Sequence, residues 1–427
     1  MAHIVIIGAG LGGMAGAYEM KKAVGEKHQV TVINERDRFQ FIPSNPWLAV
    51  GWRESKDISF EIKPYLAKKD IGFIAQRVEQ IDPNSKQLTL ANAETVDYDY
   101  LVIATGPRLA FEEVTGSGPN GFTQSVCSLD HAEKAHQDFL KLVKNPGPVI
   151  IGAMPGASCF GPAYEYAFIL DTALRRANIR HKVPMLYVTS EPYIGHLGLA
   201  GVGDSKSMME SELRKRHIQW ITNAKTTRVE QGKMFVDELD MQSNLVKQHE
   251  LPFVHAMMLP SFKGVDAVAK VEGLCNPRGF VLIDKHQRST KYPEIFSAGV
   301  CVAIPPVEVT PVPTGAPKTG YMIESMMTAL VHNIAAELNG KPAEFEGSWS
   351  AFCLADMGDT GAAFIAAPQL PPRNIMWYKQ GKWVHYGKIA FEKYFLTKMK
   401  LGASEPFFER IMLKAIGLKR LDKDQHK

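Results

Sequence analysis

The chain has 427 residues, 45% of them hydrophobic and 22% charged, with a net charge of +4. That length supports two or three domains with large cores, and no low-complexity tract interrupts the globular composition. No stretch reaches the ~18 uninterrupted apolar residues of a spanning helix, and the five cysteines show no CxxC or zinc spacing, so no metal is expected.

The first strand is expected over Ile4 to Ile7, so no leader is expected ahead of it. Gly8, Gly10 and Gly13 follow on the G-x-G-x-x-G spacing, and a helix is expected from Met14 to Lys22. The first glycine permits the tight turn, the second lets the backbone approach a pyrophosphate, and the third lets helix pack on strand. A second strand, Gln29 to Ile33, leads into Asn34 and Glu35, an acid placed to hold a ribose hydroxyl. Phe39 to Trp47, with two prolines, is expected to be a rigid aromatic loop that covers a flat ring. The strand into Ala104-Thr105-Gly106 is similar to the one that closes the first domain of two-dinucleotide-domain flavoproteins, so the glycine turn resembles an FAD site.

A second nucleotide-type unit begins at Pro148-Val-Ile-Ile-Gly152, with a helix from Ala163 to Arg176 and a strand from Met185 to Glu191. Its glycine register holds Gly152, Met154 and Ala157. A methionine side chain at the second position is expected to block a pyrophosphate, and Pro155 removes an N–H donor. The unit is therefore expected to have lost NAD(P)H. Cys159 sits where that pyrophosphate would lie, near a helix N-terminus, and is expected to ionise easily. Phe253 to Pro260 and Gly279 to Asp284 are expected to return the chain to the first domain. Gly299 is followed by Val300 and Cys301 in place of the usual aspartate. Lys318, ahead of a helix from Tyr321 to Leu338, is expected at the electron-rich edge of a flavin.

From Lys379 to Lys427 there are twelve Lys and Arg against five Asp and Glu, or +7, which leaves −3 for the rest. Phe408, Ile411, Met412, Ala415 and Ile416 follow a helical apolar spacing, and Ile389 to Leu401 carries aromatics edged by Lys388, Lys393, Lys398 and Lys400. This pattern describes helices lying in a membrane interface. A nucleic-acid partner is not expected, because the basic residues edge an apolar face and form no continuous patch.

Together these motifs resemble sulfide:quinone oxidoreductases of sulfur-oxidising bacteria. The likeness rests on Gly8 to Gly13, Phe41 to Trp47, Ala104 to Gly106, Gly152 to Glu165, Tyr193 to Gly198, Pro311 to Glu324, and Cys353 with the Asp-Met-Gly-Asp after it. It implies an α/β fold of two Rossmann-like nucleotide-binding domains (FAD/NAD(P)-binding, glutathione-reductase-like) plus a C-terminal amphipathic-helix membrane-binding region. The expected limits are 1–145 for the first part of the FAD-binding domain and 146–255 for the degenerate second domain. The return to the FAD domain is expected over 256–345, and a quinone- and membrane-binding region over 346–427.

The resemblance further implies FAD held by Gly8, Gly10, Gly13, Glu35, Ser44, Asn45, Pro46, Thr105, Gly106, Gly299 and Lys318. It implies redox cysteines at Cys159, Cys353 and Cys127, with Cys159 and Cys353 paired and Cys353 the thiolate that adds to the flavin ring. Glu165, His131 and His196 match positions for proton handling, and Phe41, Phe391 and Tyr394 for a quinone slot. Hydrogen sulfide would be oxidised to polysulfide or elemental sulfur. The electrons would pass to ubiquinone or a related membrane quinone, at the lipid bilayer surface of a bacterial inner membrane; self-association as a homo-oligomer is compatible with this. A type II NADH:quinone dehydrogenase and the flavoprotein subunit of a flavocytochrome c sulfide dehydrogenase share the fold. A redox sensor without turnover is the reading from another class.

Overall fold

The structure is a computed structural model and describes residues 1–422; Lys423 and Lys427 of the basic tail lie outside the described residues. The β-branched run of the first strand, His3–Ile7, is the centre of a five-stranded parallel sheet. Its order is Ile295–Ser297, Tyr100–Ile103, His3–Ile7, Gln29–Asn34 and Gly72–Ala75. Strands buried on both faces need helices on both faces. Helix α1 (Leu11–Val24) covers one face, with its glycines and alanines allowing close approach to a later helix.

The second sheet has four parallel strands in the order Ile218–Ile221, Met185–Thr189, Val149–Ala153 and His255–Leu259. Helix α2 (Gly161–Arg176) packs on it and is buried over most of its length. Strand His255–Leu259, expected to begin the return to the first domain, is instead the edge strand beside Val149–Ala153. Gly279 to Asp284 forms only isolated bridges, such as Val281 to Val302, and the return to the first sheet is made by Ile295–Ser297.

Helix α3 (Gly320–Leu338), capped by the Thr319 side chain, lies against α1. A three-stranded antiparallel sheet follows, Ala351–Asp356, Gly361–Ala367 and Ile375–Gln380. Helices α4 (Lys382–Leu401) and α5 (Phe407–Ala415) follow, and the strand Leu421–Asp422 then pairs antiparallel with Glu346–Gly347. No described helix is long and apolar enough to cross a membrane.

Two expectations change. The Phe39 to Trp47 segment is not a loop along its length. It forms a short strand, a 3-10 turn and the helix Asn45–Ala49, and Phe39, Phe41 and Trp47 are all buried in the core. The lysines of α4 do not all edge a lipid-facing side either. Its buried face runs Val384, Lys388, Glu392, Phe395, Met399, and Lys398 is buried too, so α4 is docked on the body through ion pairs.

Candidate active site

The glycine turn forms a cradle. Gly8 has φ +103°, and a Cβ there would stand 2.3 Å from the Ala104 carbonyl oxygen; at Gly13 it would stand 1.8 Å from the carbonyl oxygen of Gly8. At Gly10, Gly106 and Gly320, by contrast, the position of a Cβ is open space. Ile323, in the first turn of α3, packs against both Gly12 and Gly299. The starts of α1 and α3 therefore stand together with Thr105 and Gly106 between side-chain-free walls. Helix N-termini carry unpaired N–H groups that suit phosphate oxygens.

Glu35 is exposed, 3.7 Å from Arg77, and lines a cleft of about 550 Å³ with Arg36, Gln40, Leu129 and Asp130. Asn34, not singled out from the sequence, accepts the Ala9 N–H at 2.9 Å and so shapes the turn. This cradle fits FAD: a glycine-walled gap at a helix start, with an acid beyond the second strand for a ribose. Ser44, Asn45 and Pro46 are buried. The Ser44 hydroxyl donates to Glu392, and the Asn45 amide donates to Val126 O at 2.9 Å, leaving Asn45 Oδ1 without a partner. Lys318 lies over the Phe280 ring at 4.8 Å, and burial pulls its ammonium down to about 8.

Cys127, Cys159 and Cys353 come from three separated segments; all are partly buried free thiols, Cys127 and Cys353 pack against one core cluster, and both lie within electrostatic reach of Cys159. Charges at Cys353, Cys127 and Glu165 all reach Cys159. Burial pushes the thiols up, Cys127 to about 11 and Cys159 and Cys353 to about 12. Easy ionisation of Cys159 is thus overturned. The dipole of α2 is outweighed by desolvation and by neighbours whose charged forms are negative.

Glu165, on α2, accepts the Asp356 N–H at 2.6 Å and pairs with Lys388 of α4. Its carboxyl is raised by burial, against the pull of Lys388. Asp356 accepts from Trp47 Nε1 at 2.6 Å and bonds His385 Nδ1 at 2.6 Å. Lys388 is the cation that reaches Cys353. Sequence reading placed it at a membrane edge. The missed signal was that Lys388 and Glu392 fall on the same helical stripe as Val384, Phe395 and Met399.

The two histidines separate. His131, in the first turn of helix Leu129–Lys144, sits edge-on to Phe111 at 5.8 Å, with Nδ1 buried and unpartnered. The charges that reach it are Lys134, Asp130 and Arg36, on the cleft side of the molecule, and burial lowers its pKa. His196 is buried; its Nδ1 accepts the Gly198 N–H at 3.1 Å, which puts the ring proton on Nε2, donated to Glu308 Oε1 at 2.9 Å. Phe41 and Phe391 stand 6.1 Å apart, each also against Phe395. Tyr394 is turned away, donating its hydroxyl to Glu409 and meeting Phe408 edge-on at 5.2 Å.

The second glycine turn is closed, but not as expected. Met154 does not stand in the cleft. Its side chain packs inward with Val114, Ile150, Val188 and Met258. The turn is instead covered by the chain's own later segment: Gly156 N–H donates to Pro313 O at 2.7 Å, and Gly315 N–H to Ala157 O at 2.9 Å.

A family model of pyridine nucleotide-disulphide oxidoreductases matches residues 2–329. The sulfide-quinone reductase of Aquifex aeolicus is 42% identical over 413 residues, 96% of this chain and 94% of that protein. The mitochondrial sulfide:quinone oxidoreductase of Dictyostelium discoideum is 26% identical over 351 residues, 80% of this chain and 72% of that one. The X-ray structure of the Aquifex aeolicus sulfide:quinone oxidoreductase superposes with a TM-score of 0.94, covering 100% of this chain and 98% of that one. NDH2 from Plasmodium falciparum in complex with NADH shares the fold at a TM-score of 0.71 and 14% identity, covering 99% and 100%.

Proposed function

The chain belongs to the sulfide:quinone oxidoreductase family of pyridine nucleotide-disulphide oxidoreductases, and from that premise we propose that Cys159 and Cys353 are its sulfur-handling pair. The enzyme oxidises sulfide and passes the electrons to quinone, with FAD as cofactor. The observation that carries the proposal is that Cys127 and Cys353, distant in sequence, lie within electrostatic reach of Cys159, beside the Glu165–Lys388 pair.

Buried thiols with raised pKa values are neutral at rest. Loss of two electrons and two protons closes Cys159 and Cys353 to a disulfide. Hydrosulfide, a soft nucleophile, then attacks one sulfur. A new S–S bond forms to the incoming sulfur, the bond between the cysteines breaks, and the other cysteine leaves as thiolate. Burial and Glu165 oppose a thiolate at Cys353, but Lys388 reaches it and no cation among the described residues reaches Cys159, which supports placing the leaving thiolate on Cys353 and the persulfide on Cys159. Each further sulfur takes a further two-electron oxidation: the Cys159 persulfide and the Cys353 thiol would lose two electrons and two protons to close a trisulfide, and a second hydrosulfide opens it with Cys353 again leaving as thiolate, so the chain on Cys159 grows towards polysulfide.

Glu165 and His196 take the proton-handling roles, and Cys127 borders the entry; His131, among Lys134, Asp130 and Arg36, is not given one. FAD, bound in the glycine cradle, supplies the two-electron acceptor for the thiols and the donor to quinone. Gly8, Gly10, Gly13, Thr105, Gly106, Gly299 and Glu35 would hold it, with Lys318 at its edge.

Phe41 and Phe391 offer apolar walls for the ring of ubiquinone or a related quinone; Tyr394, turned onto Glu409 and Phe408, is left out of that slot. The exposed apolar side of α5 lies on a lipid surface, which makes the protein peripheral on a bacterial inner membrane. A NADH-linked reading finds no support, since the second nucleotide turn is occupied by residues 313–315 of the chain itself.

Anaerobic addition of sulfide to the purified holoenzyme tests the proposal. The flavin absorbance is expected to bleach with sulfide and not with NADH, and Cys159→Ala or Cys353→Ala is expected to abolish bleaching while flavin stays bound. Full bleaching in either variant removes the mechanism.

A further inference from the structure

Glu191 closes the second strand of the second nucleotide-type unit, the place where an acid holds ribose in a dinucleotide site. Here it is fully buried and faces inward. One carboxylate oxygen accepts from the Tyr164 hydroxyl at 2.8 Å and the Thr189 hydroxyl at 2.9 Å; the other accepts the Leu197 N–H at 2.7 Å. The Tyr164 hydroxyl in turn accepts the Gly195 N–H at 2.9 Å. The backbone on either side of His196 is therefore tied, through Gly195 and Leu197, to one Tyr–Glu pair.

The tie holds an otherwise unfavourable path. Leu197 and Ala200 have φ of +60° and +56°, which side-chain-bearing residues rarely adopt. The loop also borders the cysteine turn, because a Cβ at Gly198 would stand 3.3 Å from the ring of Phe160, the residue after Cys159. From that position His196 reaches Glu308, whose side chain is 46% exposed. His196 thus links the loop that borders Phe160 to a solvent-facing carboxylate.

We propose that Glu191, with Tyr164, is a positioning residue: the acid that would have held a nucleotide's ribose instead fixes the loop, bordering the turn that carries Cys159, that aims His196 at Glu308. This rests on the proton-handling role given to His196 above. Glu191 and Tyr164 touch no reacting atom; they act through the loop. The same contacts keep the carboxylate unavailable to a nicotinamide nucleotide.

The test uses holoenzyme variants Tyr164→Phe, Glu191→Gln and His196→Ala, and both doubles with His196→Ala. Flavin reduction by sulfide is followed under anaerobic conditions across pH, and reoxidation by decylubiquinone is followed separately. Flavin content reports folding, and Glu191→Gln, which keeps shape, covers the case in which Tyr164→Phe fails to fold. A misplaced group costs about ten- to a hundredfold. The expected result is a loss of that size in flavin reduction by sulfide, an altered pH profile for it, and unchanged reoxidation by quinone. In the His196→Ala background the second change is expected to add nothing.

Unchanged sulfide reduction in both single variants, or full additivity with His196→Ala, overturns the proposal. If His196→Ala itself leaves sulfide reduction unchanged, the role of His196 falls first and the positioning proposal with it.

Discussion

At the scale of single residues, burial decides the site's electrostatics more than sequence neighbours do. Lys388 is the clearest case, a buried ammonium paired with Glu165 and 5.5 Å over Trp47. Removing one member of a buried pair costs about 3–5 kcal/mol. Lys388→Met is therefore expected to lower the unfolding free energy by about that amount. It also takes away the cation that favours thiolate at Cys353, so flavin reduction by sulfide slows; denaturant titration and stopped-flow absorbance read the two effects.

Glu191 gives a pH dependence. Tyr164, Tyr187 and Tyr193 lie within electrostatic reach of it, and desolvation raises its carboxyl from 4.5 to about 7 despite three hydrogen-bond donors. The folded state thus holds the proton more tightly than the unfolded chain. Its contribution to stability is complete below about 4.5 and is lost as pH rises through about 7. Glu191→Gln cannot ionise, so its melting temperature relative to the parent is expected to climb between pH 5 and pH 8, as followed by differential scanning fluorimetry. A constant difference across that range contradicts the shift.

At the scale of elements, the last two helices divide their work. Helix α4 turns Lys388, Glu392 and Lys398 inward, onto Glu165, Arg53, Glu324 and Glu409. Helix α5 has no buried residue, and Phe407 and Met412 are 76% and 64% exposed. Beneath it Glu409 bonds Arg420, Lys398 and Tyr394, fixing the helix on the body with its apolar side outward. Ile411→Ser with Met412→Ser is expected to remove about 2–4 kcal/mol of lipid burial. Co-sedimentation with anionic vesicles should fall at least about tenfold, with sulfide bleaching of the flavin intact. Equal sedimentation means that α5 does not meet lipid.

At the scale of the whole molecule, what was legible in the sequence was local. Gly8, Gly10 and Gly13 announce a backbone shape within a few residues, and so do the strands on either side of them. The α4 and α5 helices were visible in their apolar spacing. What was not legible depends on long-range packing. The burial of Phe39 to Trp47, the inward turn of Met154 and the Tyr164–Glu191 tie each need partners far along the chain. The ionisation of Cys159 was misjudged for the same reason, because a helix dipole can be read locally and desolvation cannot. His131 and His196 looked alike as isolated histidines, and only the fold separates their surroundings.

One feature of α4 bears on how the molecule can be dissected. The helix that brings Phe391 to the surface also drives Lys388 into the interior, three residues earlier on its winding. Cutting the chain near residue 380 to make a detergent-free enzyme would therefore leave Cys353 without the cation that reaches it and Glu165 without its mate. Re-facing the outer surface of α5, residue by residue, is the route to a form that stays off the bilayer and still turns over.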